Sequence, residues 1–168
     1  MRGSTALAER LPAQEFSQLI SRFYGTAARV VDAWDGLVDK FVGDEVVALF
    51  VPGFAGEEHA ARAVGAARDL LRETASDRGE PWVSLGAAVH TGVAYVGRVG
   101  EGDACDTAVG DAVNTTSRLA SEAAAGEILV SAPAAQAAGL DTAGLRSRTL
   151  SLRGRDQTVV AWVAGASA

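Results

Sequence analysis

The sequence predicts an α+β domain in which helices pack on a largely antiparallel sheet. Two observations lead to this fold class. Segments with apolar residues at three- and four-residue steps alternate with short runs rich in β-branched residues, and several of these runs are separated by tight turns. The 168 residues contain no internal repeat and no linker long enough to separate two domains. This length suits one domain, and we expect residues 1–168 to form it.

Predicted helices and strands follow one another along the chain. Apolar spacing from Phe16 to Trp34 predicts a helix over 12–34, and Gly36 ends it. A hairpin is expected next, and we expect strand Val93–Val99 to pair with strand Trp82–Val89. The predicted elements after the first helix are strands Leu37–Val42 and Val46–Phe50, a helix over 57–74, strands Trp82–Val89, Val93–Val99 and Ala104–Val109, a helix over Ala112–Ala124, a strand Glu127–Ser131, a helix over Ala132–Ala138, and a strand pair near Arg148–Leu152 and Thr158–Val163.

Charge and composition exclude several classes of function. Fifteen Lys and Arg residues against 21 Asp and Glu residues give a net charge of −6, which disfavours a nucleic-acid-binding protein. A single cysteine, Cys105, excludes a disulfide framework and a cysteine-rich zinc site. No run of 18 apolar residues exists, and the N-terminal residues lack an apolar signal core. We therefore expect a cytoplasmic domain without membrane contact.

The predicted hairpin carries two charged residues, Lys40 and Asp44, of types that are common at phosphate-binding sites. Lys40 shares one strand face with Val42, and Phe41 points to the other face. Asp44 follows Gly43 at the tip of the turn, where an exposed carboxylate can bind a hard cation. The alternative is that Gly43 and Asp44 are only good turn formers and that Lys40 is a solvated strand residue.

A second candidate constellation lies on the helix that follows the strand ending at Val109. Asn114 and Arg118 are four residues apart and therefore share a helix face, where they suit a ribose and a phosphate. The alternative is a surface arginine near a helix start. Close to the C-terminus, Arg153 and Arg155 flank a glycine, which is either a second cation for a polyphosphate or a solvated turn.

Together these segments resemble the class III nucleotidyl cyclase catalytic domain, the adenylyl/guanylyl cyclase family. The likeness runs through almost the whole chain, in the family's order and spacing, and it implies a ferredoxin-like fold. The segments that carry it are Arg2–Thr5, Asp39–Phe50, Leu85–Gly92 with Val96–Gly97, and Val109–Leu119 with Gly126–Ser131.

The resemblance implies a role for each candidate residue. Asp44 holds a Mg²⁺ or Mn²⁺ ion, Lys40 and Thr107 read adenine, and Asn114 orients the ribose. Arg118 stabilises charge at the reacting phosphate, and Arg155 stands where the family often has a lysine for the terminal phosphates. In this family the site lies between two subunits, so the resemblance implies a homodimer in which Asp44 faces the other residues of the partner.

The reaction that the resemblance implies is formation of 3′,5′-cyclic AMP from ATP. Lys40 favours ATP because a lysine donates to a purine acceptor, whereas an acidic residue suits guanine better. Thr107 departs from the aspartate that many members carry, but a threonine hydroxyl can accept from the adenine amino group. Positioning and charge stabilisation carry the rate of such a reaction.

One departure from the family pattern leaves alternatives open. The family's first strand ends in an aspartate that binds both metals, and this position falls immediately before Met1. The chain is then a shortened form of a cyclase, or another acid substitutes, or the domain is a cyclase-like module of nucleotide binding, regulation or dimerisation without turnover. A more distant alternative is another ferredoxin-like binding domain, since that fold hosts many functions.

Overall fold

The structure is a computed structural model that describes residues 1–75, 82–100, 105–151 and 158–165, with the backbone alone for 105 and 106. Its described part contains six helices and eight strands. In chain order these are α1 Ser4–Arg10, α2 Ala13–Ala33, β1 Leu37–Val42, β2 Glu45–Leu49, α3 Pro52–Ala55, α4 His59–Thr74, β3 Ala87–Val89, β4 Tyr95–Val99, β5 Cys105–Val109, α5 Asp111–Glu122, β6 Ile128–Ser131, α6 Ala132–Ala137, β7 Arg146–Leu150 and β8 Val159–Ala164.

Three sheets form the β layer, and four of their five strand pairings in the described residues are antiparallel. The largest sheet has the order β3-β6-β8-β7, and the hairpins β1-β2 and β4-β5 each form a two-stranded sheet. The predicted fold class is confirmed. The predicted pairing of Val93–Val99 with Trp82–Val89 is wrong, because β4 pairs with β5 while β3 pairs in parallel with β6.

The core lies between this sheet and the helices. All four residues of β6 are buried, since strands flank both its edges and helices cover its faces. Phe23 and Ala27 of α2 and Val64 of α4 pack on one side, and Leu119 of α5 packs on the other side. The predicted helix over 12–34 is confirmed as α2, whose apolar stripe supplies these contacts. Helix α5 is thereby anchored against the sheet, and residues on its opposite face are exposed.

A cavity of about 360 Å³ lies between β2 and β3. Within the described chain, β2 pairs only with β1 and β3 pairs only with β6, so each has one edge without a strand partner. Apolar residues of both strands and of α2 line the cavity, and Met1 reaches it from the N-terminus. The expected absence of the family's first strand stays a prediction.

Candidate active site

The sequence analysis did not single out Asp39, which occupies a central place in the candidate site. The register of β1 against β2 shifts between Val38 and Lys40, so Asp39 has no partner residue in the ladder. Its side chain is only 2% exposed. A buried carboxylate needs compensating donors, and strand β5 supplies two of them.

The donors converge on Asp39 from two strands that are far apart in sequence. Asp39 Oδ1 accepts from the Ala108 N–H at 2.9 Å, and Asp39 Oδ2 accepts from the Thr107 hydroxyl at 3.2 Å. Lys40 Nζ lies 3.0 Å from the same Oδ2 atom. The structure therefore brings the two predicted base contacts, Lys40 and Thr107, together around one oxygen. An acid next to Lys40 in a strand was the available signal, but only the fold shows its partner.

The hairpin tip is built by local turn chemistry and an aromatic contact. Gly43 adopts a φ of 58°, a left-handed conformation that glycine adopts without steric cost. The Tyr24 hydroxyl donates to the Gly43 carbonyl oxygen, and the Tyr24 ring stacks on Phe41 with centroids 4.2 Å apart. Helix α2 thus fixes the turn that presents Asp44.

Asp44 is an ionised carboxylate at the mouth of the cavity. Burial raises the pKa of Asp44, but a hydrogen bond from Ser4 and the nearby Met1 ammonium outweigh it and hold the pKa below the ordinary value of 3.8. The ammonium nitrogen lies 3.4 Å from Asp44 Oδ2 and donates to the Asp44 carbonyl at 2.6 Å. A positive charge is therefore already accommodated at this carboxylate.

The donor set around Asp44 fits a divalent cation that takes most of its ligands from elsewhere. No group of three or more metal-ligating side chains occurs in the described ranges. Mg²⁺ keeps several waters and is commonly held by one or two carboxylates together with substrate phosphates. Asp44 suits the role of such a carboxylate, with side-chain exposure of 38%.

Helix α5 presents the two predicted catalytic residues. Gly110 joins β5 to α5 at a φ of 143°, and a side chain there would meet the backbone of Ala94. Asn114 is exposed and Arg118 is half-buried. Neither side chain makes a hydrogen bond or ion pair within the described part of the chain, so both are available to a ligand.

Four of the six predicted site residues thus fall into two pairs. Lys40 and Thr107 meet at Asp39, and Asn114 and Arg118 share a face of α5. Asp44 makes its described polar side-chain contacts with Met1 and Ser4. Arg155 lies outside the described residues.

Apolar side chains are exposed on both two-stranded hairpins. Val42 at the tip of β1 is 56% exposed, and Tyr95 and Val96 on opposite faces of β4 are 58% and 51% exposed. A two-stranded ribbon with apolar residues on both faces has little to pack against within its own chain. The residues of this hairpin surface are Phe41, Val42, Tyr95, Val96, Val99 and Val109.

A family model described as "Adenylate and Guanylate cyclase catalytic domain" matches residues 1–165. The chain belongs to this cyclase family. The resemblance inferred from the sequence motifs is therefore confirmed at the level of the family.

Named relatives and solved structures agree with this assignment. The adenylate cyclase of Anabaena cylindrica is 31% identical over 125 residues, which cover 71% of this chain and 25% of that protein. Adenylate cyclase 1 of Rhizobium meliloti is 34% identical over 122 residues, 68% of this chain and 18% of that protein. The cyclase domain thus spans about a quarter or less of these two relatives.

Similar solved structures include cyclases named for either nucleotide. The crystal structure of the guanylyl cyclase Cya2 superposes with a TM-score of 0.82 and 29% identity, covering 98% of this chain and 88% of that one. The adenylyl cyclase CyaB from P. aeruginosa superposes with a TM-score of 0.77 and 25% identity, covering 97% and 89%. The choice between adenine and guanine must therefore be argued from the residues.

None of the helices in the described residues has the length and apolar character needed to cross a membrane.

Proposed function

We propose that this cyclase domain converts ATP to 3′,5′-cyclic AMP and pyrophosphate, as a homodimer and with Mg²⁺ or Mn²⁺. The observation that carries the choice of base is the convergence of Lys40 Nζ and Thr107 Oγ1 on Asp39 Oδ2, at 3.0 Å and 3.2 Å. It places a donor and a hydroxyl side by side on neighbouring strands. The cytoplasmic location expected from the sequence stays a prediction.

This pair of groups matches the edge of adenine. Adenine presents a ring acceptor at N1 beside a donor, the N6 amino group, whereas guanine presents O6 as an acceptor beside the N1–H donor. A lysine ammonium only donates, and Lys40 Nζ, although ion-paired with Asp39, has further N–H groups for a ring acceptor. The Thr107 oxygen accepts from the amino group. Two relatives named adenylate cyclase support the same substrate.

The phosphate end of the proposed site is formed by α5. In the reaction, the ribose 3′-oxygen forms a bond to the α-phosphorus, the bond from this phosphorus to the bridging oxygen breaks, and pyrophosphate leaves. The 3′-hydroxyl proton passes to solvent or a nearby base. We assign Asn114 to the ribose and Arg118 to the negative charge that builds on the phosphate, because a guanidinium offers paired donors to phosphate oxygens. Arg155 is proposed for the terminal phosphates.

The metal site of the proposal rests on Asp44. A bound Mg²⁺ or Mn²⁺ would neutralise phosphate charge and favour ionisation of the 3′-hydroxyl. The lowered pKa of Asp44 keeps its carboxylate charged at neutral pH, as a metal ligand requires.

Dimerisation is supported by the exposed hairpin surface. Val42 and Tyr95 are more than half exposed although they are large apolar residues. A contact between two copies buries such groups and gives two equivalent sites by symmetry. We propose that Asp44 of one subunit faces Lys40, Thr107, Asn114 and Arg118 of the partner copy.

The direct test is cyclic AMP formation from ATP and Mn²⁺ at a protein concentration that populates the dimer. We expect product from the wild-type chain and a loss of at least about 100-fold in Asp44→Ala, since the carboxylate holds the metal. Glu45→Ala, next to Asp44 on β2, is the matched control and keeps activity within a few-fold. Product that is unchanged in Asp44→Ala contradicts the metal assignment.

A second candidate function is nucleotide binding or dimerisation without turnover. The observation that favours it is that the described residues contain no group of three or more metal-ligating side chains, while apolar residues are exposed on both hairpins. ATP binding by a folded dimer that releases no cyclic product would establish this alternative in place of the enzyme.

A further inference from the structure

Asp39 has a geometry that bears on how the base is selected. Its carboxylate is almost fully enclosed, at 2% exposure, accepts two hydrogen bonds from β5 and forms an ion pair with Lys40 of β1. The side chain of Thr107 is half-buried and the side chain of Lys40 is 35% exposed. Asp39 therefore sits beneath the two groups that a ligand can reach, without being accessible itself.

The direction of the hydrogen bond from Thr107 follows from the chemistry of its partner. An ionised carboxylate has no proton to give, so it can only accept. Asp39 Oδ2 also faces the Lys40 ammonium, and Asp39 Oδ1 accepts from the Ala108 N–H, so both oxygens meet donors. The one hydroxyl proton of Thr107 must therefore point at Asp39 Oδ2, and the Thr107 oxygen turns its lone pairs to the ligand.

We propose that Asp39 is a positioning residue that selects the purine by holding the Thr107 hydroxyl as an acceptor; this rests on the proposed function. The oriented hydroxyl accepts from the amino group at position 6 of adenine. An oxygen at position 6, as in guanine, meets lone pairs instead of a proton and is rejected. A free threonine hydroxyl would rotate to suit either base, so Thr107 alone does not explain selection.

Exchange of Asp39 for asparagine reverses this hydrogen bond. The Ala108 N–H must still find an acceptor, so the asparagine carbonyl oxygen takes the Oδ1 position, where Ala108 now donates at 2.9 Å. The amide NH₂ then occupies the Oδ2 position and donates to Thr107, and the Lys40 ammonium, which loses its acceptor there, turns away from it. The hydroxyl proton becomes free to donate to an oxygen at position 6 of the base.

The test is the ratio of kcat/KM for ATP to that for GTP in wild-type and Asp39→Asn protein, with Mn²⁺. We expect the ratio to fall at least about tenfold. Asp69→Asn is the matched control, because Asp69 also accepts from a ring N–H and an arginine but lies on α4. It leaves the ratio unchanged. A merely structural role of Asp39 would lower both activities together, and an unchanged ratio overturns the proposal.

Thr107→Val tests whether the effect passes through the hydroxyl. We expect Asp39→Asn to change the ratio more in the wild-type background than when Thr107 is already valine, because only the loss of the Lys40 ion pair acts in both backgrounds. An equal change in both backgrounds overturns the proposal. Wild-type protein with no preference for ATP in either turnover or binding overturns this proposal and the proposed function together, whereas a preference for ATP that survives Asp39→Asn overturns this one alone.

A measurement on the wild-type chain covers the case in which Asp39→Asn does not fold. Purine riboside triphosphate carries hydrogen at position 6, and its 6-methoxy derivative carries an oxygen acceptor while N1 stays an acceptor in both. A fixed acceptor at Thr107 makes the 6-methoxy compound the weaker competitor against ATP. We expect Thr107→Val to reduce the difference between the inhibition constants of the two analogues. The proposal is contradicted if the two analogues compete equally well in wild-type protein, or if the difference between their inhibition constants is unchanged in Thr107→Val.

Discussion

At the proposed base-reading end of the candidate site, Thr107 is hydrogen-bonded and Lys40 is ion-paired to Asp39, whereas on α5 Asn114 and Arg118 make no side-chain hydrogen bond or ion pair within the described residues. The first pair is set in place before any ligand arrives. The second pair is positioned only by its helix, and both side chains remain available to the phosphate group that we propose for them. Selection of a base requires fixed donors and acceptors, while charge stabilisation requires unpaired charge.

The largest effect is expected at the free end of the site. Arg118→Ala removes the guanidinium that we propose for the reacting phosphate, and we expect kcat to fall by about 10²–10³-fold. Stability changes little, since Arg118 has no partner in the described chain to lose. Steady-state kinetics and thermal unfolding measure the two effects.

Arg72→Ala is the matched control for Arg118→Ala, because Arg72 forms an exposed ion pair with Asp69 on α4. It keeps full activity. If Arg118→Ala retains wild-type kcat, α5 does not carry the phosphate end and the comparison between the two regions fails.

A smaller effect is expected from reversing the charge at the fixed end. Lys40→Glu places an acceptor where a donor stands, so we expect the ratio of kcat/KM for ATP to that for GTP to fall by about 10–100-fold, the discrimination of one good base contact. Lys40→Met separates loss of the donor from gain of an acceptor and gives a smaller change. An ATP preference that survives in Lys40→Glu would show that the base is read elsewhere.

The proposed dimer interface predicts a third effect, on assembly of the dimer, and this effect acts on both ends of the site. Val42→Lys puts a charge on the exposed hairpin surface, and we expect the dimer dissociation constant to rise about tenfold, with activity per chain falling at low concentration. Sedimentation equilibrium measures it. Phe54→Lys is the control, since Phe54 is 69% exposed on α3, outside both hairpins. A dimer equally stable in both variants places the interface elsewhere.

The smallest effect lies far from the site, at Glu127. Burial raises the pKa of Glu127, but the Ala124 N–H and the charges of Arg148 and Arg146 outweigh it and hold the pKa below the ordinary 4.5. The stabilisation is therefore present above pH 4.5 and is lost as the pH falls through the lowered value. We expect Glu127→Gln to lower the free energy of unfolding by about 1–2 kcal/mol at pH 7.

Urea unfolding at pH 7 and at pH values below 4 checks the Glu127 prediction. The difference in free energy of unfolding between wild-type and Glu127→Gln protein should shrink on acidification, because the protonated wild-type carboxyl is then uncharged, like the glutamine side chain. A difference that stays constant with pH contradicts the electrostatic origin, and leaves packing as its cause.

Local chemistry made part of the fold predictable from the sequence. The hairpin β1-β2 follows from alternating residues around Gly43, and α2 follows from its apolar spacing. The pairing of β4 was predicted wrongly because strand partners are chosen by tertiary packing, and nothing in Tyr95–Val99 specifies β5. Helices α1 and α3 were missed because they are short and lack a clear apolar stripe.

The site shows the same division. Asn114 and Arg118 share a helix face by simple periodicity, and Asp44 sits at a turn that its own sequence forms. The role of Asp39 was out of reach, because its contact with Thr107 spans 68 residues of sequence and depends on a register shift in β1. The contacts to which we assign specificity join distant strands, and periodicity in the sequence does not reveal such contacts.

The most direct test of the central claim is a competition in which wild-type protein receives equal concentrations of ATP and GTP with Mn²⁺, and both cyclic products are quantified. The donor at Lys40 and the acceptor at Thr107 predict that cyclic AMP predominates by at least about tenfold. Predominant cyclic GMP would contradict this account of how the fixed end of the site reads its base.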